Sequence, residues 1–416
     1  MSIAETATAF FLAAVVILIV CRLVVFAVGR LDQPPVVGEM IAGVLLGPSL
    51  LGLISPSLQE TLFPPSIRPM LYVVSHIGLV AFMFSVGYEF RSRPVTGLAR
   101  SAGIVSLAGI TVPLGLGILL VYLVHDRVDA FADSTPLVVS ALFVGVTLSI
   151  TAFPMLARII TERRLTGTRQ GSLTLAAGAI DDGLAWVLLA GVLSIASGDP
   201  SKVAITAGGT VLFILFLATV GKRALTWLFD RGPIGTEHGI LITAIVLFVA
   251  AWFTDKIGLY SVFGGFCLGF FFPRTESSER VIQAITPVTR IVFLPLFFAY
   301  SGLNTRFGSL FTPALLTLTA ACVVAAVVGK FGACWAAARL VGESPPVAVR
   351  VGALMNARGL MQLIALNVGL QAGIVTSQLF SALVVVAMVT TIMATPCLNW
   401  LDRRDARRAG ELVDQR

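Results

Sequence analysis

Thirteen stretches of the chain stay apolar long enough to cross a membrane, with polar residues gathered between them. A span needs about 20 predominantly apolar residues. By that measure the pattern predicts helices near 7–28, 35–53, 70–88, 98–124, 136–160, 170–197, 203–220, 237–254, 258–271, 287–303, 313–341, 347–371 and 376–400. These are segments one to thirteen below. The ninth is short and abuts the eighth across TDKIGLY. The expected fold class is an all-α polytopic membrane protein occupying residues 1–400, with a short tail at 401–416. The start, MSIAETATAFFLAAVVILIV, has no basic residue before its apolar run and reads as a first spanning helix rather than a leader.

Composition agrees with the pattern. Of 416 residues, 57% are hydrophobic and 12% charged, where soluble domains carry about 25% charged residues. The net charge of +7 sits in short loops, with no basic helix interleaved with aromatics, so the partner it implies is the bilayer and not nucleic acid. Cys21, Cys267, Cys322, Cys334 and Cys397 lie in apolar runs without C-x-x-C spacing and read as small hydrophobes.

The loops orient the chain. Odd-numbered loops, their flanks and the C-terminal tail hold 21 of the Lys and Arg residues, whereas even-numbered loops hold 5, namely Arg68, Arg127, Lys202, Lys256 and Arg306. The positive-inside rule then places the C-terminus in the cytoplasm and the N-terminus outside, in a multi-pass protein of the cell (inner) membrane. Arg22, Lys330 and Arg358 remain, all inside spans. A weak internal echo accompanies this: segment two, GEMIAGVLLGPSLLG, resembles segment nine, YSVFGGFCLGFFFP, and AFMFSVGYEF of segment three resembles PLFFAYSGLNTRF of segment ten. An offset of seven reverses direction. The halves are therefore expected to be two inverted six-helix repeats, about 7–197 and 237–400, joined by a linker helix near 203–220, with a site at their interface.

Ionisable groups inside spans mark ion paths or proton relays. Asp181 and Asp182 sit in LAAGAIDDGLAWVLLAGVL of segment six, Lys330 in segment eleven and Arg358 in segment twelve. Counted from the inner ends of their helices, these residues and Thr151 fall ~9 to ~12 residues deep, about 18 Å for Asp182 at 1.5 Å per residue. Two helices in this layer look broken. Pro154 in TLSITAFPMLARII removes a backbone hydrogen bond and frees carbonyls near Ile150 and Thr151, with Ala152 and Phe153 in the same break. In segment twelve, MNARGL sets Asn356 and Gly359 either side of Arg358. Unwound backbone at membrane depth is tolerated where it is buried or lines a wet cavity. Two such helices crossing beside an acid pair make a candidate cation site. Neighbouring helix positions point about 100° apart, so one aspartate can face a cation path while the other meets a partner, for which Lys330 is the candidate.

Other readings weigh less. Adjacent aspartates on one helix cannot face each other across a water as an aspartyl protease requires, so no enzyme is expected. A proton-uncoupled cation channel, or an exporter or symporter of an organic ion, are the rivals to exchange. Glu89 reads as a solvated helix end rather than a partner of Arg358, and Glu39 likewise. His76, His125 and His238 invite a pH-sensing role; His125 and His238 do not lie at the depth of the acid pair, His76 alone could, and no sensing role is expected.

At these residues the chain resembles the monovalent cation:proton antiporter-2 family. The motifs, in order, are PPVVGEMIAGVLLGPSLLG, TLSITAFPMLARII, AIDDGLAWVLLA, LPLFFAYSGLNT and LMNARGLMQLIALNVGL. The resemblance implies the sodium/proton antiporter fold of about 13 helices, with a dimerisation domain, a core domain holding two crossed discontinuous helices, and a homodimer. It implies exchange of a monovalent cation, Na+ before Li+ or K+, for protons by alternating access, the core moving as an elevator, and no cofactor. It also implies that Asp181 and Asp182 bind cation and proton, that Lys330 in VVGKFGACW neighbours Asp181, and that Thr151 is a nearby oxygen ligand. The chain departs from family patterns in three places. Asp-Asp stands where Kef-type proteins carry Gln-Asp, Gln362 where many relatives have Glu, and Ala152 where sodium-selective relatives often have Asp. LDRRDARRAGELVDQR is expected to be too short for a nucleotide-binding regulatory domain.

Overall fold

The computed structural model describes residues 2–91, 98–132, 134–165, 167–230 and 235–414. Of the cations counted above, Arg93, Arg231 and Arg416 lie outside the described residues, as do the side chains of Arg91, Lys202, Arg407 and Arg408, and that of Pro154.

Among the described residues, ten helices are long and apolar enough to cross a membrane. They coincide with segments one to four, six to eight, ten, eleven and thirteen. Segment nine is the shorter helix Ser261–Phe271. Segments five and twelve are each two half-helices: Leu137–Ser149 with Phe153–Glu162, and Pro345–Met355 with Leu360–Gln371. Several bounds differ from the hydropathy reading. Segment seven runs well past 220, as Pro200–Phe216, a π-helical turn at Leu217–Gly221 and Lys222–Asp230. The last helix, Ser377–Asp414, carries the tail on as helix instead of ending at 400. Arginine-rich sequence is good helix former even where it is too polar for a span, which hydropathy cannot register. Proline marks several starts, with Pro35 and Pro313 opening helices where a missing N–H costs nothing.

The chain forms two compact units, each assembled from separate stretches: Met1–Arg22, Ala42–Pro94 and Ala190–Asn304 in the first, Leu23–Ile41, Val95–Leu189 and Thr305–Arg416 in the second. In the first unit, segments two and ten touch through backbone. A Cβ on Gly43 would lie 2.2 Å from the Phe298 carbonyl oxygen, and one on Gly302 2.0 Å from that of Gly43. Segments three and nine do the same, Gly87 against the Phe266 carbonyl and Gly269 against that of Phe84. Small residues at helix crossings are the usual device where no water drives association. Glu89 meets Arg290 at 3.3 Å with both about half exposed, an ion pair at the end of its helix.

In the second unit the half-helices are tied at both ends. Within the breaks, the Ala152 N–H donates to the Ala357 carbonyl at 3.2 Å. At the other ends Asp402 of the last helix accepts from Arg163 at 3.1 Å and from Arg350 at 2.7 Å. Glu39, expected on a solvated helix end, is instead half-buried and feels the charge of Arg158.

Candidate functional site

The second unit holds the acid pair. Asp181 and Asp182 lie in the helix Arg169–Ala196, and both are buried, at 1% and 0% exposure. Lys330 and Arg358 are buried at 0% as well. Four ionisable side chains out of reach of solvent in one unit must compensate one another or bind something that does.

Asp181 and Lys330 compensate each other. Lys330 Nζ donates to Asp181 Oδ2 at 2.5 Å, to the Ser149 carbonyl at 2.6 Å and to the Gly109 carbonyl at 2.8 Å. An ammonium has three N–H donors, and all three are used. Asp181 also accepts from Thr151 Oγ1 at 2.8 Å and from Ser106 Oγ at 2.5 Å. Lys330 stands in a π-helical turn, Val328–Gly332, within the helix Pro313–Leu340. Such turns widen a helix locally and recur at functional sites.

The two breaks meet beside this pair. Segment five leaves helix at Ile150 (ψ 133°) and re-enters after Ala152 (ψ 90°), with Phe153 and Pro154 as the first two residues of the next half-helix. Ser149, the last helical residue before the break, gives its carbonyl to Lys330. Thr151 lies in the break and its hydroxyl also lies 3.3 Å from the Met355 carbonyl of segment twelve. In segment twelve, Asn356 ends the first half-helix and Gly359, at φ 93°, starts the second. That backbone region is strained for any residue with a Cβ.

Asp182 stands apart. Neither of its oxygens has a hydrogen-bond partner among the described residues. One turn on, the buried Trp186 indole N–H lacks an acceptor among them too, and residues four apart share a helix face. Arg358 donates to the Ala326 carbonyl at 3.1 Å, while its Nε and Nη1 have no partner among the described residues. Gln362, also buried, donates weakly to the Leu383 carbonyl at 3.4 Å and leaves its Oε1 without a donor among the described residues.

The sequence-predicted residues therefore divide. Asp181, Lys330 and Thr151 form one hydrogen-bonded cluster, and Ala152 joins it to the Asn356–Gly359 break through Ala357. Asp182 and Arg358 lie in the same unit with no side-chain hydrogen bond to that cluster among the described residues. Sequence reasoning missed Ser106 and the carbonyls of Gly109 and Ser149. Carbonyls leave no mark in a sequence, though Pro113 placed four after Gly109 is one for the first.

Comparison with known proteins bears on this arrangement. The family model for transmembrane sodium/hydrogen exchangers matches residues 10–402. The chain is 38% identical over 387 residues to the Na(+)/H(+) antiporter NhaS4 of Synechocystis sp., covering 92% of this chain and 94% of that protein. It is 32% identical over 418 residues to the K(+)/H(+) antiporter 1 of Saccharomyces cerevisiae, covering 97% of this chain and 47% of the yeast protein, about half its length. In fold it is similar to the sodium proton antiporter MjNhaP1 of Methanocaldococcus jannaschii, with a TM-score of 0.67 at 14% identity over 94% of this chain and 95% of that one.

Proposed function

We infer, from the premise that the chain belongs to the sodium/hydrogen exchanger family, that it exchanges a monovalent cation for protons across a membrane, with Asp182 as the exchanging group. One observation carries this reading: of two adjacent buried carboxyl groups, Asp181 accepts from three donors and Asp182 from none among the described residues. A bare buried carboxylate is costly unless something neutralises it. A proton does so, and so does a dehydrated Na+, Li+ or K+, but the two compete for the same lone pairs. That competition is the coupling. Asp182 releases its proton to the side where the cation is taken up, and is reprotonated where the cation leaves.

The crossed breaks supply the rest of a cation's shell. Hard monovalent cations take oxygen ligands, and unwound helices offer carbonyls at membrane depth. Thr151 adds a hydroxyl once it turns from Asp181. The family is one of transporters, and the cargo is cation and proton, with no cofactor in the scheme. Sodium is the favoured cation, because Asp-Asp replaces the Gln-Asp of Kef-type relatives; the names of the Synechocystis and yeast relatives cover both Na+ and K+. The loop charges support a cytoplasmic C-terminus in the cell membrane, and the family resemblance supports a homodimer.

The test is cation-driven proton flux. Purified protein in acid-loaded proteoliposomes should discharge the proton gradient when Na+, Li+ or K+ is added outside. Cation entry with no proton movement would make the protein a channel and sink the exchange reading.

A further inference from the structure

Segment four, the helix Ala99–Val124, has no acidic or basic residue between Arg100 and His125. Yet it touches both members of the buried pair. Ser106 donates to Asp181 at 2.5 Å, and the Gly109 carbonyl accepts from Lys330 at 2.8 Å.

Neither contact is what a helix ordinarily offers. A helical serine or threonine tends to donate back to the carbonyl one turn earlier, as the exposed Thr111 does to Leu107 at 2.8 Å on the same helix. Ser106 is fully buried and reaches across to another helix instead. The Gly109 carbonyl would normally be taken by the N–H of residue 113. That residue is proline, which has none. Pro113 is buried inside the helix, and the carbonyl it leaves without a donor is the one Lys330 occupies. Space is matched as well. A Cβ on Gly109 would lie 2.7 Å from Cys334 Sγ and 3.5 Å from Lys330 Nζ, and one on Gly329 would lie 3.2 Å from Pro113 Cα. Segment four thus presents a hydroxyl, a freed carbonyl and a gap for the lysine stem, all against the π-helical turn that carries Lys330.

We propose that Ser106, Gly109 and Pro113 are positioning residues for the Asp181–Lys330 pair, and through it for cation binding at Asp182. The proposal rests on the exchanger reading. Two of the lysine's three acceptors are carbonyls, one from segment four and one from the segment five break, so the pair pins three helices together around Asp181. Pinning Asp181 fixes the rotation of segment six about its axis. It thereby fixes the direction of Asp182, about 100° round the same helix.

Pro113→Ala separates positioning from packing. Alanine keeps the Cα and Cβ that face Gly329 but restores an N–H that competes with Lys330 for the Gly109 carbonyl. A proline inside a helix is unfavourable in its own right, so this variant should melt at or above the wild-type temperature. Its half-saturating Na+ should nonetheless rise roughly tenfold, the weight of one hydrogen bond to a charged group. Ser106→Ala should raise it by a similar factor, and Thr111→Ala should leave it unchanged. Half-saturation is read twice, from exchange in proteoliposomes and from the Na+-dependent rise in melting temperature in detergent, which needs no transport. Wild-type half-saturation in either Pro113→Ala or Ser106→Ala overturns the assignment. So does a Pro113→Ala protein less stable than wild type, since the proline would then be a packing residue. Wild-type vesicles that move no protons sink the exchanger reading instead, and the melting series still decides the role of segment four.

Discussion

Asp181 accepts three hydrogen bonds and Asp182 accepts none among the described residues. The separate roles proposed for them rest on this difference, and substitution should separate them. Asp182→Asn removes the exchanging charge and should abolish cation-driven proton flux in a protein that melts normally, because asparagine needs no neutralising proton or cation. Wild-type flux from a well-folded Asp182→Asn protein would rule the assignment out. Lys330→Gln leaves Asp181 as a buried charge without its countercharge, and breaking one side of such a pair costs about 3–5 kcal/mol. Adding Asp181→Asn should recover much of that loss, since no unpaired charge remains. A double-mutant cycle on thermal stability reads the coupling; strictly additive effects would mean the pair contributes nothing. At this scale the pair and the lysine are legible in the sequence, because charges inside apolar runs are rare enough to stand out. Ser106 is not. Serines and threonines are common in these helices, and most satisfy themselves locally, as Thr317 does on Pro313 and Thr390 on Val386. Which of them reaches across to a neighbour depends on packing that periodicity does not carry.

The elements around the pair show what proline and glycine foretell and what they do not. Pro154 and Gly359 locate both breaks to within a few residues, since one lacks a donor and the other permits φ 93°. Gly359→Ala should therefore destabilise the second unit by about 1–2 kcal/mol or more, the cost of a Cβ in left-handed backbone. Space is not the obstacle, as the nearest atom to such a Cβ is Thr391 Oγ1 at 3.5 Å. Melting of Gly359→Ala beside Gly373→Ala, a φ 72° glycine outside the breaks with open space around it, tests the prediction: Gly359, at ψ −124°, should lose at least as much stability as Gly373, and only Gly359→Ala should also weaken cation binding. The π-helical turns at 217–221, 289–293 and 328–332 left no such trace, because no residue type specifies them. The sequence echo has a counterpart in packing. Segments two and ten approach through glycine and carbonyl, and so do three and nine. If two corresponds to nine and three to ten, these two contacts are each other's image, which is the arrangement inverted repeats would produce.

Across the whole molecule, the site's charges sum simply. Two basic side chains, Lys330 and Arg358, and two carboxyl side chains, Asp181 and Asp182, are all buried in a unit drawn from three separate stretches of chain. Hydropathy located the spans, but the interleaving of the two units is not visible along the sequence, since apolar helices of either unit look alike. Charge summation bears on stoichiometry. With Asp182 protonated or cation-bound and Lys330 charged throughout, both loaded forms carry the same charge and exchange is electrically silent. If the arriving cation also draws Asp181 away, Lys330 loses its carboxylate and keeps two carbonyl acceptors, which stabilise an ammonium less than a counterion does. It then releases a second proton, and each cycle moves two protons per cation with one net charge. We propose this second scheme, because a lysine held by a carboxylate responds when an arriving cation takes that carboxylate as its ligand. The prediction is electrogenic exchange in the wild-type protein, with a reversal potential at which a membrane voltage balances the two ion gradients. Lys330→Gln, combined with Asp181→Asn to keep it folded, should exchange more slowly and lose the voltage dependence, leaving one proton per cation at Asp182. Net charge movement that persists in that double variant would show that the second proton travels by a group other than Lys330.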